Sequence, residues 1–346
     1  MNERKYVPVL KWKAGEKAAL ERLTVDQKSF ICPLIEVYDL EDEATIIRDL
    51  ARLKEVPCYL DTSYVEDDVS LLATLIRESR TNGTVVSPVL YPHNFPQDAD
   101  VLLQFSDRIL FRVTVPEDID GESYESIFKS ISNWMSGKNV LVDVMLDLCY
   151  IKDRNTANLM LSDLRNVLSK YIVSNNDFGN IIVASTCFPE TLENLAAGED
   201  LFINRYEMKI FKKIYDDDQF DVIKERLIFS DYGVTRFTET ELDFSRIKYA
   251  PLPKVRYTIH EKYWILKGKR NNVTKQSIRS YSTMAREIFE SENYYGETFS
   301  FGDQEIKERA FSINGKGPGN HTNWVTIAAN HHIAVVVEEL SNLLDA

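Results

Sequence analysis

Charged residues end several short apolar runs in the first two-thirds of the sequence. Four of these residues are acidic: Glu36, Asp61, Asp147 and Asp231. Two more, Lys11 and Arg112, are basic and end similar runs. A charge beside apolar residues is costly unless it is paired or solvated, so these positions indicate a polar surface on an apolar core. Carboxylate oxygens are the ligands that Mg²⁺ and Mn²⁺ prefer, and the two cations suit a phosphate group. The set predicts metal-assisted phosphodiester chemistry.

A second interpretation of the same residues stays open. Acid–base pairs inside a barrel also close its core by neutralising one another. Arg205 has two interpretations as well, because it precedes a predicted helix at 208–215. It is either a third catalytic cation or part of an ordinary helix start. The sequence therefore offers Lys11, Arg112 and Arg205 as candidate catalytic residues and the four carboxylates as candidate metal ligands.

The elements that must position these residues alternate along the chain. Eight β-branched runs lie at 6–10, 30–37, 57–60, 85–90, 109–115, 140–146, 181–184 and 227–229. The segments between them have apolar residues at helical spacing. Eight strand–helix units in about 240 residues predict an α/β fold with a TIM-like (β/α)8 barrel. A doubly wound open α/β sheet is the alternative. In a barrel the carboxyl ends of the strands form one mouth, where the charged residues would meet.

A different module follows the barrel. The sequence Pro251-Leu252-Pro253 is typical of a linker, so we predict a barrel at 1–250 and a basic C-terminal α+β module at 251–346. Within the module we expect a strand pair or an extended segment in 255–267, a helix at 276–290 and a final helix that ends near residue 344. Thr322 or Asn323 is the predicted N-cap of that last helix.

The charge of the chain is unevenly distributed. The net charge of −13 argues against nonspecific nucleic-acid binding by the chain as a whole. Residues 246–286, however, contain eleven Lys or Arg and one acidic residue, a net charge of +10. Candidate residues for nucleic-acid or anion binding are Arg256, Lys262, Lys267, Lys269, Arg270, Lys275, Asn320 and His332. Tyrosines interleaved with these cations suit a polyanion whose bases stack. The alternative is that this basic segment docks against the acidic remainder of the chain.

The composition and the motifs exclude several classes of protein. Hydrophobic residues make up 44% of the chain and charged residues 27%, which is ordinary for a globular protein. No run approaches the roughly 20 apolar residues of a membrane span, and the N-terminus has no signal-peptide pattern. The four cysteines form no C-x-x-C pair. These features predict a cytoplasmic protein without a membrane partner. The sequence also lacks a G-x-S-x-G elbow, a G-x-G-x-x-G fingerprint and zinc-ligand spacing, which argues against a serine hydrolase, a Rossmann cofactor and a zinc site.

Several short motifs resemble one family over nearly the whole length. They are Tyr6-Val7-Pro8-Val9-Leu10-Lys11-Trp12-Lys13-Ala14-Gly15-Glu16-Lys17-Ala18-Ala19-Leu20, Pro33-Leu34-Ile35-Glu36-Val37, Tyr59-Leu60-Asp61, Ser230-Asp231-Tyr232-Gly233, and Gly319-Asn320 with Trp324 and His331-His332. Together they resemble the "beta protein" family of bacteria and tailed phages. The resemblance implies a setting of conflict between phage and host, in defence or counter-defence, and it implies no particular catalytic residue. The resemblance also implies that the following residues belong to one pattern: Lys11, Glu36, Asp61, Arg112, Asp231 and residues 320–332.

Two functions therefore stay open. The first is a phage–host conflict protein that acts as a metal-dependent phosphodiesterase or nuclease. It would hold Mg²⁺ or Mn²⁺ at the barrel mouth, and Lys11 and Arg112 would stabilise phosphoryl charge. The second is a non-catalytic protein that binds a nucleotide, a nucleic acid or a partner protein encoded in the same operon. None of the motifs identifies the substrate.

Overall fold

The computed structural model describes residues 4–38, 42–65, 69–116, 121–175, 177–235 and 251–344. Its β-strands in these ranges are β1 (Tyr6–Lys11), β2 (Leu34–Glu36), β3 (Cys58–Asp61), β4 (Val86–Leu90), β5 (Arg108–Thr114), β6 (Leu141–Tyr150), β7 (Ile181–Thr186), β8 (Asp200–Asn204), β9 (Leu227–Asp231), β10 (Lys254–Ile259), β11 (Lys262–Lys267), β12 (Lys269–Arg270) and β13 (Ser277–Arg279). Its α-helices are α1 (Ala14–Glu21), α2 (Val25–Phe30), α3 (Glu43–Leu50), α4 (Val69–Thr81), α5 (Gln97–Leu102), α6 (Gly121–Met135), α7 (Arg154–Val167), α8 (Tyr206–Tyr215), α9 (Tyr281–Glu290), α10 (Phe301–Ala310) and α11 (His321–Leu344).

Eight parallel strands close into a barrel in the order β1-β2-β3-β4-β5-β6-β7-β9. The ring closes where β9 pairs with β1 and Phe229 lies opposite Tyr6. The structure confirms the (β/α)8 prediction, and each of the eight predicted runs overlaps one barrel strand. The alternative of an open, doubly wound sheet is wrong, because the pairing of β1 with β9 leaves the barrel strands no open edge.

The barrel strands are recognisable in the sequence because they are buried on both faces. Strands β2, β3, β4 and β7 are buried along their whole length. Parallel strands covered on both sides are near-continuous apolar runs, unlike the alternating pattern of a half-exposed sheet. Local capping fixes some of the helices between them: Asp42 accepts a hydrogen bond from the backbone N of Thr45 at the start of α3, and Asp153 does the same from Thr156 at α7.

The chain divides into two compact units. The barrel unit contains Met1–Trp12, Lys28–Cys187 and Tyr206–Tyr232, and the second unit contains Lys13–Gln27, Phe188–Arg205 and Gly233–Ala346. Helix α1 and strand β8, which lie within the predicted barrel range 1–250, thus belong to the second unit. The predicted boundary after residue 250 adjoins residues 236–250, which are outside the described residues.

The second unit contains an antiparallel sheet in the order β10-β11-β8. The register places Tyr257 of β10 opposite Trp264 of β11, which lies opposite Phe202 of β8. The predicted strand pair in 255–267 is present as β10 and β11. The third strand, β8, was not predicted from the sequence. A further pair, β12 and β13, forms a short hairpin.

Two details of the predicted helices in this unit are wrong. The helix expected at 276–290 begins only at Tyr281, because Ser277–Arg279 forms β13 and Ser280 caps the helix by accepting a hydrogen bond from the backbone N of Thr283. The N-cap of α11 is Asn320, whose Oδ1 accepts from the backbone N of Asn323 at 3.0 Å. Helix α10 was not predicted from the sequence.

The core of the second unit contains a polar network on α11. His331 is fully buried, with Nδ1 2.8 Å from Asp303 Oδ2 and Nε2 2.7 Å from the backbone oxygen of Thr258. The same Asp303 accepts a hydrogen bond from Tyr257 at 2.7 Å, and the Tyr257 ring stacks on His331. This network joins β10, α10 and α11 through groups that have hydrogen-bond partners although they are buried.

Candidate active site at the carboxyl end of the barrel

Three charged residues form a row across neighbouring strands of the barrel. Lys11 ends β1, Glu36 ends β2 and Asp61 ends β3. The parallel register places Lys11 opposite Glu36, and Glu36 opposite Asp61. Because the parallel strands of a barrel end on the same side, all three lie at its carboxyl end. The structure thus brings together three residues that the sequence pattern singled out, and each is buried.

Arg112, from β5, is at the centre of the site. Its Nη1 donates to Glu36 Oε1 at 2.9 Å and to Asp61 Oδ2 at 3.2 Å. Its Nε donates to Asp147 Oδ2 at 2.9 Å, and its Nη2 lies 2.8 Å from the same oxygen. Asp147 belongs to β6 and lies opposite Thr114, two residues beyond Arg112. One guanidinium therefore binds three carboxylates from three strands, and we call these four residues the Arg112 cluster.

Tyrosine hydroxyls complete the Arg112 cluster. Each carboxylate accepts a hydrogen bond from one of them: Glu36 from Tyr38, Asp61 from Tyr91 and Asp147 from Tyr232. Burial raises the pKa of Tyr91 and of Tyr232 well above the usual value, so both phenols stay protonated and act as donors. These tyrosines were not among the residues that the sequence pattern predicted for the site. Tyr91 and Tyr232 each follow a barrel strand directly, and this position was the signal that could have found them.

Glu36 differs from the other two carboxylates in how it is held. It accepts hydrogen bonds from Arg112 at 2.9 Å and from Tyr38 at 3.0 Å. Asp61 and Asp147 each accept an additional one from the backbone N two residues further along the chain. Burial raises the pKa of Glu36 above the usual value; the charge of Arg112 opposes this shift, and the charge of Asp61 adds to it. Glu36 is therefore the carboxyl group of the cluster best suited to carry a proton.

Lys11 contacts the cluster through an aromatic ring. Its Nζ lies 4.8 Å from the centre of the Tyr38 ring, a cation–π contact. The hydroxyl of the same ring donates to Glu36. Tyr38 thus contacts both Lys11 and Glu36, which are neighbours in the strand register.

Asp231, the fourth predicted metal ligand, ends β9 and is also buried. It is opposite Pro8 on β1, three residues before Lys11. Its Oδ1 accepts a hydrogen bond from Tyr6 at 2.7 Å. Three of the four predicted ligands therefore meet at Arg112, whereas the Asp231 carboxylate accepts a hydrogen bond from Tyr6.

A balanced ion pair lies at the start of the same two strands. Arg108, the first residue of β5, donates to both oxygens of Asp143 in β6. Tyr59 donates to this carboxylate at 2.6 Å, and the backbone N of Asn180 donates at 2.7 Å. Here one cation binds one carboxylate. The Arg112 cluster, four residues further along both strands, binds three carboxylates to one cation.

The arrangement of the carboxylates bears on the predicted Mg²⁺ or Mn²⁺ site. Among the described residues, no group of three or more His, Cys, Asp or Glu side chains is placed to hold a metal ion. Glu36, Asp61 and Asp147 converge on the Arg112 guanidinium instead. As arranged, their oxygens do not form a metal-binding set, and metal dependence stays a prediction.

Arg205, the third predicted catalytic cation, belongs to the second unit. Its side chain is fully buried, and its Nη1 lies 2.9 Å and 2.8 Å from the two carboxylate oxygens of Glu339 in α11. Its guanidinium also lies 5.7 Å from the centre of the Tyr263 ring. These contacts place Arg205 in an ion pair within the second unit, and its catalytic role stays a prediction.

The candidate anion-binding residues also lie in the second unit and differ in exposure. Lys262, Lys269, Lys275 and Asn320 are exposed, Arg256, Lys267 and Arg270 are half-buried, and His332 is fully buried. His332 Nδ1 lies 2.9 Å from Thr258 Oγ1 in the core. Lys269, Arg270 and Lys275 share the β12–β13 hairpin and its loop. The structure therefore favours this hairpin over His332 as a surface for an anion.

The chain is similar to one family of known proteins. A family model described as Beta protein matches residues 6–338, a range that covers both units and the Arg112 cluster. A search of curated proteins found no match. Among the residues that the structure describes, no helix combines the length and the apolar character that crossing a membrane requires.

Proposed function

We propose that this chain, which belongs to the Beta protein family, is a phosphodiesterase that uses the Arg112 cluster as its active site. Active sites of (β/α)8 enzymes lie at the carboxyl end of the strands, where the loops surround the mouth. The Arg112 cluster lies at that end, on β2, β3, β5 and β6. Its position therefore supports an active site before any chemistry is considered.

The observation that carries the proposal is the unequal number of acids and bases. Burying charges is costly, and fold stability alone favours apolar side chains or a balanced pair such as Arg108 and Asp143. Arg112 is shared instead by three carboxylates. Even when Lys11 is counted, the acids exceed the bases by one. Departures of this kind from stable packing are expected where a proton or a substrate is bound.

The contacts indicate how the residues would act. Glu36, with its raised pKa, donates a proton to the oxygen that leaves as the P–O bond breaks. Water adds to phosphorus and gives its proton to Asp61, so one proton leaves the site and one enters it. Arg112 and Lys11 oppose the negative charge that grows on the phosphoryl oxygens. No step involves a metal ion, because the three carboxylates bind the Arg112 guanidinium.

Hydrolysis of bis(p-nitrophenyl) phosphate and of a short oligonucleotide tests the proposal. Glu36→Gln preserves the size of the side chain and one acceptor oxygen, but its amide nitrogen cannot accept the second hydrogen bond and the transferable proton is removed. We expect kcat to fall by about 10² to 10⁴ while KM changes little. Glu55→Gln is the matched control, since Glu55 is an exposed glutamate of the same unit. Parallel assays with EDTA, Mg²⁺ and Mn²⁺ test the predicted metal dependence.

Two results would contradict this function. One is unchanged hydrolysis by a Glu36→Gln protein whose circular dichroism and melting temperature match the wild type. The other is a wild-type protein that hydrolyses neither substrate under any of the metal conditions.

The second unit favours a second function, the binding of nucleic acid. From Lys262 to Arg286 the sequence contains seven Lys or Arg and no Asp or Glu. The β12–β13 hairpin lies in this stretch, and residues 272–278 are exposed. Exposed cations on a hairpin attract a phosphate backbone, and the resulting affinity depends on salt because counterions are released.

Oligonucleotide affinity at several KCl concentrations tests this second function. The double variant Lys269→Gln/Lys275→Gln should bind more weakly, and the slope of log affinity against log salt should decrease by about two. Lys54→Gln/Lys213→Gln makes the same change in charge at exposed lysines of the barrel unit and serves as the control. Wild-type affinity that does not change with salt would contradict the proposal.

A role in phage–host conflict, a partner protein from the same operon and a cytoplasmic location stay predictions. Plaque counts on cells that express the wild-type protein or Glu36→Gln test the first of these. A reduction in plaques that depends on Glu36 would support it. Equal plating on both strains and on cells without the protein would contradict it.

A further inference from the structure

Tyr64 is an aromatic residue that the catalytic scheme does not use. It lies three residues after Asp61, in the loop that follows β3, and its surface is 49% exposed. Its ring stacks on Tyr38, with ring centres 4.2 Å apart and planes inclined by 22°. Tyr64 therefore presents an aromatic surface whose orientation is held by the ring next to it.

A short series of contacts joins this ring to the proposed proton donor. Tyr38 stacks on Tyr64, donates a hydrogen bond to Glu36 Oε2 at 3.0 Å and lies 4.8 Å from Lys11 Nζ. Tyr38 thus contacts the exposed Tyr64 ring on one side, and on the other it contacts the Glu36 carboxyl group and the Lys11 amine that would act on a phosphodiester.

We infer that Tyr64 is the stacking position for the nucleobase of a nucleotide substrate, beside the Arg112 cluster. This inference rests on the proposed phosphodiesterase function and narrows its substrate to nucleotides or single-stranded nucleic acid. A base offers a flat π-face of the right size, and stacking on an aromatic side chain tolerates any base. Because the ring is already held by Tyr38, little conformational entropy is lost when a base binds.

The protonation state of Tyr64 is compatible with this role. Burial and the nearby Glu36 carboxylate raise the pKa of Tyr64 to about 12. The phenol is therefore neutral at working pH and adds no negative charge beside the phosphate of the substrate. The stacking surface recognises the base, while Lys11 and Arg112 supply the charge for the phosphate.

Binding of AMP, ribose 5-phosphate and inorganic phosphate, measured by calorimetry, tests the inference without relying on turnover. Tyr64→Leu removes the π-face, and it should weaken AMP binding by about tenfold while ribose 5-phosphate and phosphate bind as before. Tyr64→Phe keeps the ring and should bind AMP like the wild type. Tyr215→Leu removes a stacked tyrosine from α8 of the same unit and is the matched control.

The outcomes separate this inference from the proposed function. AMP binding that is unchanged in Tyr64→Leu overturns the inference, even if Glu36→Gln shows that the cluster hydrolyses phosphodiesters. An equal loss of AMP and ribose 5-phosphate binding also overturns it, because the sugar rather than the base would then be recognised. Loss of AMP binding alone in Tyr64→Leu supports the inference. If this loss is seen but the wild-type protein hydrolyses no phosphodiester, the proposed function fails and the inference about base stacking stands.

Discussion

Glu36 and Asp61 accept hydrogen bonds from the same nitrogen atom, Nη1 of Arg112, at 2.9 Å and 3.2 Å. Two oxygens that share one donor at these distances lie no more than about 6 Å apart, so each negative charge makes the other more costly. The charge of Arg112 lowers the pKa of Glu36, but burial and the charge of Asp61 together raise it by more. The pKa of Glu36 is therefore above its usual value. Glu36 therefore keeps its proton to higher pH than an exposed glutamate does, which links both stability and activity to pH.

The contribution of Glu36 to the free energy of unfolding should decrease as pH rises. A raised pKa means that the folded protein binds this proton more tightly than the unfolded chain does. The contribution is fully present below the usual glutamate pKa of 4.5 and is lost as pH rises through the folded value. Urea denaturation of wild type and Glu36→Gln at several pH values should show the difference shifting in favour of the variant as pH rises. A difference that does not vary with pH would contradict the raised pKa.

Removal of the Tyr38 hydroxyl should raise the pKa of Glu36 further. That hydroxyl donates to the carboxylate and so favours its charged form. If Glu36 is the proton donor, kcat falls as pH rises through its pKa, and Tyr38→Phe should move this fall to higher pH. The phenylalanine keeps a ring beside Lys11. The pH profile of kcat, with Tyr215→Phe as the control, measures the effect; a fall at unchanged or lower pH would remove Glu36 from the proposed role.

Replacement of Arg112 should destabilise the barrel more than replacement of an exposed arginine. Arg112→Met leaves three buried carboxylates without their shared cation, and we expect a loss of about 3–5 kcal/mol of unfolding free energy at neutral pH. The loss should shrink in acid, because a protonated carboxyl group needs no counter-charge. Arg77→Met is the control: Arg77 pairs with Glu78 at the surface, where an ion pair contributes about 0–1 kcal/mol. Urea denaturation at neutral and acid pH measures both; equal losses for the two variants would show that the cluster does not depend on Arg112.

The barrel could be predicted from the sequence because its strands are buried on both faces, as in Ile181–Thr186. Strand β8 could not, because its exposure alternates and its partner β11 lies far along the chain. The charges at the strand ends were equally visible, since each interrupts an apolar run. The pairing of these charges could not be predicted from the sequence. The contacts of Arg112 cross the interior from β5 to β2 and β3, so they depend on closure of the barrel.

The candidate residues of the second unit show the same limit. His332 follows His331 in a helix whose faces cannot be assigned without the elements that cover them. Helix α10 was not predicted, so no sequence pattern indicated that Asp303 and Thr258 would contact these histidines. Basic residues of the exposed hairpin, such as Lys275, needed no such information, because their exposure follows from a loop rich in polar residues.

Gly302 should be required for the packing of α10 against α11. A Cβ added at this position would lie 2.5 Å from the backbone oxygen of Ile327 and 3.0 Å from the Cβ of His331. Gly302→Ala should therefore push the two helices apart and lower the unfolding free energy by about 1–3 kcal/mol, more than the gain in helix propensity restores. Gly317→Ala is the control, because no atom lies within 4 Å of an added Cβ there and its backbone is outside the left-handed region. That substitution should be neutral or stabilise by up to about 1 kcal/mol. Thermal denaturation of both variants measures the contrast, and a Gly302→Ala protein as stable as Gly317→Ala would show that the close approach of the helices is not needed for stability.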